Sequence, residues 1–269
     1  MTAGRIVEGK HVGGRLIPRK PHGLRLEHFG VNLSAFPPTP QSTHYASLPA
    51  AQPVLTDILG NDRYGCCTEA NQFHLQALRQ AAAGRTVYHP PVSVVLDIYA
   101  RDGGEPGDNG CDETVVMTNA QTLGIPSDDS GCLDTIAGFV LVDATSRDLV
   151  RAVVTTFVGA SICIGLPDAW VAAMPSSSGF TWGVDGEPNA DNGHCFSLYD
   201  QGDAILGIGS WGMFGSLTYE ALAEYAVESA GGALYIVLDD ELLGAAQATA
   251  PDGLDWAALR TAFAAVGGA

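Results

Sequence analysis

The two kinds of hydrophobic periodicity in this chain occupy different parts of the sequence. Apolar residues first recur at helical spacing, which predicts four helices, over residues 67–84, 93–104, 112–125 and 146–157. Short runs rich in Ile, Val, Leu and aromatic residues follow, and they predict strands over 160–167, 194–201, 203–210 and 233–239. One more helix is predicted over 219–232. A helical half followed by an antiparallel strand half indicates an α+β fold.

The two ends of the chain differ from this regular region. Residues 1–52 mix Gly, Pro and His without a sustained period, which predicts an extended N-terminal arm. Residues 53–245 hold the regular patterns and form the predicted domain. Residues 246–269 predict a linker and a C-terminal helix over 255–268.

Charge is distributed unevenly along the chain, whose net charge is −17. Six of the 13 basic residues lie in the first 25 positions, so the remaining residues hold seven bases and 29 acids. An acidic body argues against a nucleic-acid partner, because phosphate contacts need Lys and Arg. The basic arm is predicted either to be a solvated tail or to dock on an acidic surface of another protein or assembly.

The sequence contains neither a predicted membrane span nor an export signal. Its most apolar run, residues 149–166, includes Arg151 and several hydroxyl side chains. The first 14 residues lack the apolar core of a secretory signal. We therefore expect no membrane partner, a cytoplasmic location and six cysteines that are reduced thiols.

Two adjacent cysteines stand at the predicted start of the first helix, in LGNDRYGCCTEA (59–70). The partial positive charge at a helix N-terminus favours thiolate over thiol, so Cys66 and Cys67 are rival candidate nucleophiles. The alternative is that these cysteines are structural, since a small side chain also packs well at the start of a helix. Acyl transfer at a thiol needs a base, and His194 begins a predicted strand 127 residues after Cys67.

Metal and cofactor chemistry are not predicted. The sequence has no C-x-x-C or H-x-x-x-H pair that would form a closed zinc site. The acids of residues 102–113 lack the regular spacing of a calcium-binding EF-hand loop, so a solvated loop is the favoured interpretation. We expect no metal site and no cofactor.

Three motifs, in this order, resemble the papain-like cysteine peptidase superfamily. NDRYGCCTEA resembles the pattern of a glutamine followed, six residues on, by the nucleophile, and Asn61 lies six residues before Cys67. DNGCDETVVMTNAQTLGI (108–125) resembles the loop and helix that help to line the substrate cleft, while GHCFSLYDQ and GIGSWG resemble the Gly-His strand and the Asn-Ser-Trp-Gly corner. The match covers about residues 53–240, and it is most similar to uncharacterised bacterial and phage proteins.

The resemblance implies a papain-like α+β fold and a role for each matching residue. Cys67 is the implied nucleophile, His194 the base, and Asn61 an oxyanion donor. The residues implied to line the cleft are Trp211, which shields the site from water, Gly65, Cys66 and Gly110.

The residue that would orient the histidine differs from the family's pattern. Gly209 stands where an asparagine is expected, and glycine has no side chain to hold the imidazole. Ser210 lies 16 residues after His194, which is the family's usual interval, and is the predicted substitute.

Two functions follow from this resemblance. The first is a cysteine peptidase or amidase, weakly active, that cleaves a peptide or isopeptide bond in a peptide or amide substrate. The second is a catalytically silent structural or decoration protein that uses its arm to join a phage particle or another large assembly. In that second case the location is within the virion.

Overall fold

The computed structural model describes residues 4–18, 24–26, 36 and 38–239. The α-helices in these residues are α1 Gln52–Leu55, α2 Cys67–Ala82, α3 Val92–Arg101, α4 Glu113–Thr122, α5 Arg147–Phe157, α6 Asp168–Ala172 and α7 Tyr219–Tyr225. The β-strands are β1 Arg5–Val7, β2 Lys10–Val12, β3 Arg15–Leu16, β4 Cys111–Asp112, β5 Ile125–Pro126, β6 Leu133–Asp134, β7 Ile136–Leu141, β8 Ala160–Gly165, β9 Phe180–Trp182, β10 Gly193–Gln201, β11 Ile205–Ser210, β12 Met213–Thr218 and β13 Ala233–Asp239. The predicted C-terminal linker and helix lie outside the described residues.

One seven-stranded sheet organises the second half, in the order β7-β13-β8-β10-β11-β12-β9. Its neighbours are antiparallel except for β12 and β9, which run parallel. Helices α2 and α5 contact the central strand β10, and α4 contacts the edge strand β7. The prediction of an α+β fold, with a helical first half packed on the sheet, is confirmed.

All eight helices and strands predicted first from periodicity are present, with ends within about three residues of the expected positions. Helix α3 begins one residue earlier than predicted, with Pro91 at its N-cap position. The predicted helix 219–232 is shorter than expected, since α7 ends at Tyr225 and a separate 3₁₀ turn follows.

Three strands of the sheet were not predicted: β7, β9 and β12. Strand β12 has a single buried residue, Leu217, and contains Gly215, so it shows no apolar run. Strand β9 is only three residues long. Strand β7 comes from the part of the chain that was expected to be helical, and it pairs with β13 at the end of the sheet.

The described part of the N-terminal arm is packed on the rest of the chain. Strands β1 and β2 form a hairpin, and β3 pairs in parallel with β4. Lys10 is 8% exposed and Arg15 is 3% exposed. The expectation that the arm's basic residues lie on a solvated tail or on another protein is therefore wrong for these two, because this chain's own domain buries them.

Among the helices of the described residues, each is too short or too polar to pass through a membrane.

A polar contact fixes helix α2 on the sheet. The Asn71 side chain donates a hydrogen bond to Ser161 Oγ at 2.5 Å and accepts one from Ser197 Oγ at 2.5 Å. Ser161 lies on β8 and Ser197 on the neighbouring β10, where the two residues are directly opposed. All three side chains are buried, so one helical residue holds two strands in a fixed position relative to α2.

We predict that Asn71→Ala lowers the free energy of unfolding by about 2–3 kcal/mol, because it leaves two buried hydroxyl groups without their partner. Urea unfolding followed by circular dichroism measures this loss. Asn109→Ala is the control, since Asn109 is exposed and its amide bonds only the nearby Pro106 carbonyl. Equal midpoints for the two variants would contradict the prediction.

Candidate active site

The candidate nucleophile lies at the first turn of α2. Cys67 is the first residue of this helix, after a turn in which Leu59 and Gly60 both have positive φ. Its side chain is 2% exposed and borders a small cavity of about 10 Å³, which has room for about one water molecule. The predicted site residues around the same cavity are Asn61, His194, Ser210 and Trp211.

The imidazole of His194 is held from two directions. Its Nε2 lies 2.8 Å from Ser210 Oγ, and its ring stacks on the Trp211 indole with centroids 4.1 Å apart. Its Nδ1 is buried without a hydrogen-bond partner among the described residues. This nitrogen is therefore available to take a proton from the Cys67 thiol when Nε2–H donates to Ser210.

A strained hairpin turn places the indole over the imidazole. Strands β11 and β12 pair up to Ser210 and Met213, so Trp211 and Gly212 form a two-residue loop. Their φ values are +50° and +71°, which is the geometry of a type I′ turn. A tryptophan with positive φ costs about 1–2 kcal/mol. Close packing excludes every residue except glycine at position 212, because a Cβ there would lie 2.6 Å from the Thr56 carbonyl oxygen.

The two rival thiols have opposite environments. Burial raises the pKa of Cys67, but its contacts with Cys195 and His194 outweigh burial and hold the pKa well below the ordinary value. Burial raises the pKa of Cys66 well above that value, and the nearby Glu69 adds to the shift. These environments favour Cys67 as the thiolate and leave Cys66 as a buried helix cap.

Asn61 is placed to supply one of two oxyanion donors. Its side chain is buried beside Cys67 and donates one hydrogen bond to the Tyr64 carbonyl at 2.9 Å. An amide group carries two N–H donors, so one remains. The backbone N–H of Cys67, as the first of its helix, is left without an intrahelical partner and is the second donor.

The position of Gly209 excludes an asparagine behind the histidine. A Cβ on Gly209 would lie 2.0 Å from the Tyr199 ring, so this residue faces away from His194 and has no room for a side chain. The next residue, Ser210, points the other way, as alternation along a strand requires, and contacts the imidazole. A substitution at Gly209 therefore cannot restore an orienting group, and Ser210 occupies that place.

A segment of the arm, residues 10–16, crosses this site, and we call it the strap. The backbone N–H of His11 donates to the Asn61 carbonyl at 2.9 Å, and the Trp211 indole donates to the His11 carbonyl at 3.3 Å. Further along, Gly13 N–H donates to the carbonyl of Gly193, the residue before His194.

The glycines of the strap contact two of the predicted cleft residues. A Cβ on Gly14 would lie 2.6 Å from Gly65, and a Cβ on Gly110 would lie 2.3 Å from the Gly14 carbonyl. The Cys111 N–H donates to that same carbonyl at 3.0 Å. The strap therefore lies against Gly65, Gly110 and Trp211, three of the predicted cleft residues.

The strap is anchored by a buried ion pair. Arg15 Nε and Nη2 donate to the two Glu113 carboxylate oxygens at 3.0 and 2.5 Å, and Arg15 Nη1 donates to the Gly231 carbonyl at 2.6 Å. Glu113 also has an oxygen within 4.8 Å of the Cys163 and Cys195 sulfurs, a grouping that could in principle hold a metal. Because Arg15 takes both carboxylate oxygens, its positive charge disfavours a cation there.

Sequence reasoning missed the strap residues His11, Gly13 and Arg15, and their partner Glu113. Arg15 is one of the basic residues of the predicted arm, and Glu113 is one of the acids of residues 102–113 that were predicted to form a solvated loop. The available signal was the pair Gly13-Gly14, since adjacent glycines permit a close approach of one backbone to another.

The remaining cysteines are separate from this chemistry or lie behind it. Cys163 and Cys195 are buried on facing positions of β8 and β10, with their sulfurs 2.7 Å apart. Cys111 is buried and Cys132 is exposed. All six cysteines are free thiols in the structure, as expected from the sequence.

Comparison with solved structures identifies the fold. The cysteine protease xylellain from Xylella fastidiosa has 13% sequence identity and a TM-score of 0.59, over 89% of this chain and 99% of that one. Procathepsin L2 from Tenebrio molitor has 14% identity and a TM-score of 0.60, over 86% and 78%. ProCathepsin B S9 from Trypanosoma congolense has 13% identity and a TM-score of 0.57, over 85% and 86%.

These similarities define the fold as that of the papain-like cysteine proteases. The resemblance found in the sequence is thereby confirmed, while its narrower likeness to bacterial and phage proteins stays a prediction. No protein-family model and no curated protein matches the chain significantly.

A buried carboxyl group lies two residues from the candidate nucleophile. Glu69 is fully buried in the first turn of α2, and burial raises its pKa to about 8 from an ordinary value of 4.5. The folded chain therefore binds this proton more tightly than the unfolded chain does between these two pH values. Stability is highest below pH 4.5 with respect to this group and falls as pH rises towards 8.

We predict that Glu69→Gln, which is neutral at every pH, gains stability relative to the unmodified chain as pH rises from 4.5 to 8. The difference should grow by about 1 kcal/mol per pH unit. Urea unfolding at several pH values measures it, and Glu105→Gln on the exposed loop is the control. Parallel stability curves for Glu69→Gln and the unmodified chain would show that Glu69 does not titrate in this range.

Proposed function

We propose that this chain is a papain-like cysteine peptidase or amidase that is latent because its own strap occupies the substrate cleft. The observation that carries this proposal is the placement of His194, whose Nε2 contacts Ser210 and whose side chain lines the same small cavity as Cys67. The fold of known cysteine proteases supports it.

The chemistry proceeds through an acyl-enzyme. Cys67 transfers its proton to His194 Nδ1, and the thiolate attacks the carbonyl carbon of the scissile bond. Asn61 and the Cys67 backbone N–H donate to the resulting oxyanion. His194 then gives its proton to the leaving amine, and the bond to nitrogen breaks. A water molecule, deprotonated by His194, hydrolyses the thioester and regenerates Cys67.

Ser210 makes this site weaker than one with an amide or carboxylate orienter. A hydroxyl accepts a hydrogen bond from Nε2–H, but it can also rotate and act as a donor. The imidazole is then held less firmly in the tautomer that accepts the thiol proton. The stack on Trp211 compensates in part, because it fixes the plane of the ring.

The strap accounts for latency. It bonds to the backbone of Asn61, of Gly193, the residue before His194, and of Cys111, the residue after Gly110, so it covers groups next to the predicted site residues. Two of the similar structures are of precursor forms by name, procathepsin L2 and proCathepsin B. An N-terminal segment that must leave before substrate enters is consistent with that relationship.

The second candidate function is a catalytically silent structural or decoration protein of a phage particle or another assembly. The observation that favours it is the closure of the site, since Cys67 is 2% exposed beneath the strap. The two functions differ in one respect that can be measured: only a latent enzyme gains Cys67-dependent hydrolysis when the strap is loosened.

We predict that Arg15→Gln loosens the strap and exposes the site. Iodoacetamide should modify Cys67 at least about tenfold faster than in the unmodified chain, because a charge-assisted hydrogen bond of about 1.5–3 kcal/mol is lost. The exposed Cys132 serves as the internal reference in peptide mapping. Hydrolysis of a broad peptide library should rise in parallel.

Two controls interpret this experiment. Arg63→Gln removes an exposed guanidinium that contacts only its neighbour Asp62, and it should change neither rate. Cys67→Ala in the Arg15→Gln chain should abolish hydrolysis. If Cys67 becomes reactive towards iodoacetamide while no peptide is cleaved, the enzyme function fails and the structural function takes its place.

We predict that Ser210→Ala, made in the Arg15→Gln chain, lowers the hydrolysis rate by about 10- to 100-fold. Loss of the Oγ leaves Nε2 without its acceptor, and the low end of the contribution of a positioned acid–base group is about 10². Ser177→Ala, at an exposed position, is the matched control. An unchanged rate for Ser210→Ala would remove Ser210 from the site.

A further inference from the structure

Glu113 lies in a position where a carboxylate needs a partner. It is the first residue of α4, its side chain is fully buried, and Arg15 supplies the cation that it contacts. A buried carboxylate without a cation or sufficient hydrogen bonds is unfavourable, because nothing compensates the loss of its hydration. When the strap leaves the cleft, Arg15 leaves with it, and Glu113 is exposed to whatever replaces it.

The Glu113 carboxylate borders the catalytic residues. One of its oxygens lies within 4.8 Å of the Cys163 and Cys195 sulfurs, and Cys195 follows His194 on β10 and belongs to the same buried cluster as Cys67. Arg15 is two residues from Gly13, which bonds to the residue before His194. Arg15 therefore lies two residues along the strap from a contact with the residue that precedes His194.

The space beside Glu113 fits a long side chain. A cavity of about 330 Å³ adjoins the ion pair, and its lining includes Tyr235, Ala233 and the backbone at Gly231. Arg25 is at its rim, but it pairs with Glu228 in an exposed contact. Beside Arg15 the cavity presents the Glu113 carboxylate, the Gly231 carbonyl and the Tyr235 ring, while Asp143 and Glu228 line it elsewhere.

We propose that this Glu113 pocket is a specificity site for an arginine side chain of the substrate, which takes the place of Arg15. This proposal rests on the proposed peptidase function and names its substrate class, peptides with an arginine close to the scissile bond. The strap is then a substrate-like ligand at this site.

The contacts of Arg15 distinguish arginine from lysine. Three of its guanidinium nitrogens donate at once, two to the carboxylate in a parallel fork and one to the Gly231 carbonyl. A lysine ammonium is a compact charge and cannot reproduce the fork. The pocket should therefore rank arginine above lysine, and lysine above methionine of similar length.

Digestion of a peptide library that contains internal Arg, Lys and Met tests the proposal. Full-length Arg15→Gln and Glu113→Gln are compared, because both changes loosen the strap but only the second alters the pocket. Cleavage sites are mapped by mass spectrometry against a Cys67→Ala blank. We expect arginine to be enriched about tenfold at one fixed position with Arg15→Gln, and not enriched with Glu113→Gln.

Each outcome has a distinct meaning. Cleavage by Arg15→Gln without arginine enrichment, or equal enrichment with Glu113→Gln, overturns the specificity site and leaves the peptidase function intact. Absence of Cys67-dependent cleavage by both variants overturns the peptidase function.

When no peptide is cleaved, a binding measurement tests the specificity site. Calorimetry measures the affinity of a synthetic peptide of residues 10–16 for the Arg15→Gln chain, beside versions with Lys or Met at position 15. We expect the Arg peptide to bind at least about tenfold more tightly than the Met peptide. Equal affinities overturn the proposal, and this comparison is sufficient should Glu113→Gln fail to fold.

Discussion

The docking of helix α2 on strand β10 is the contact on which the site depends. The helix carries Cys67 and the strand carries His194, so neither residue can act unless these two elements keep a fixed distance and angle. Asn71 sets that relationship, since it bonds to Ser161 and Ser197 on adjacent strands. It lies one helical turn from Cys67, which means that the polar anchor and the reactive thiol share one face of the helix. Movement of one would therefore displace the other.

The sequence was sufficient to predict the fold class and most of its long elements. Helix α2 and strands β10 and β13 each bury most of their length and show the periodicity that burial imposes. Strand β12 could not be found in this way, because its stability comes from pairing with β11 and β9 and not from an apolar run. The local hydrophobic pattern predicts which side chains an element buries, but it does not predict which strands that element pairs with.

The residues of the candidate site also fall into two groups, those that a local sequence motif predicts and those that depend on contacts between distant parts of the chain. Cys67, His194 and Asn61 could be identified because a motif fixes their spacing within one element or across a recognisable pair of elements. Ser210 was predicted as the substitute for Gly209 from its interval to His194, but only the pairing of β11 on β10 brings it to the imidazole. The ion pair of Arg15 with Glu113 joins residues 98 positions apart, and no local rule predicts such a contact.

The strap has a consequence that arises from its covalent attachment. A segment tethered to the cleft is present there at an effective concentration in the millimolar range, whatever the concentration of the protein. In the proposed latent enzyme, an incoming peptide would compete with this internal ligand, so a peptide at low concentration would gain access only if its affinity exceeded that of the strap by the ratio of the two concentrations. The arm therefore sets a threshold for access, and changes in its length or stiffness would move that threshold without altering a single residue of the cleft.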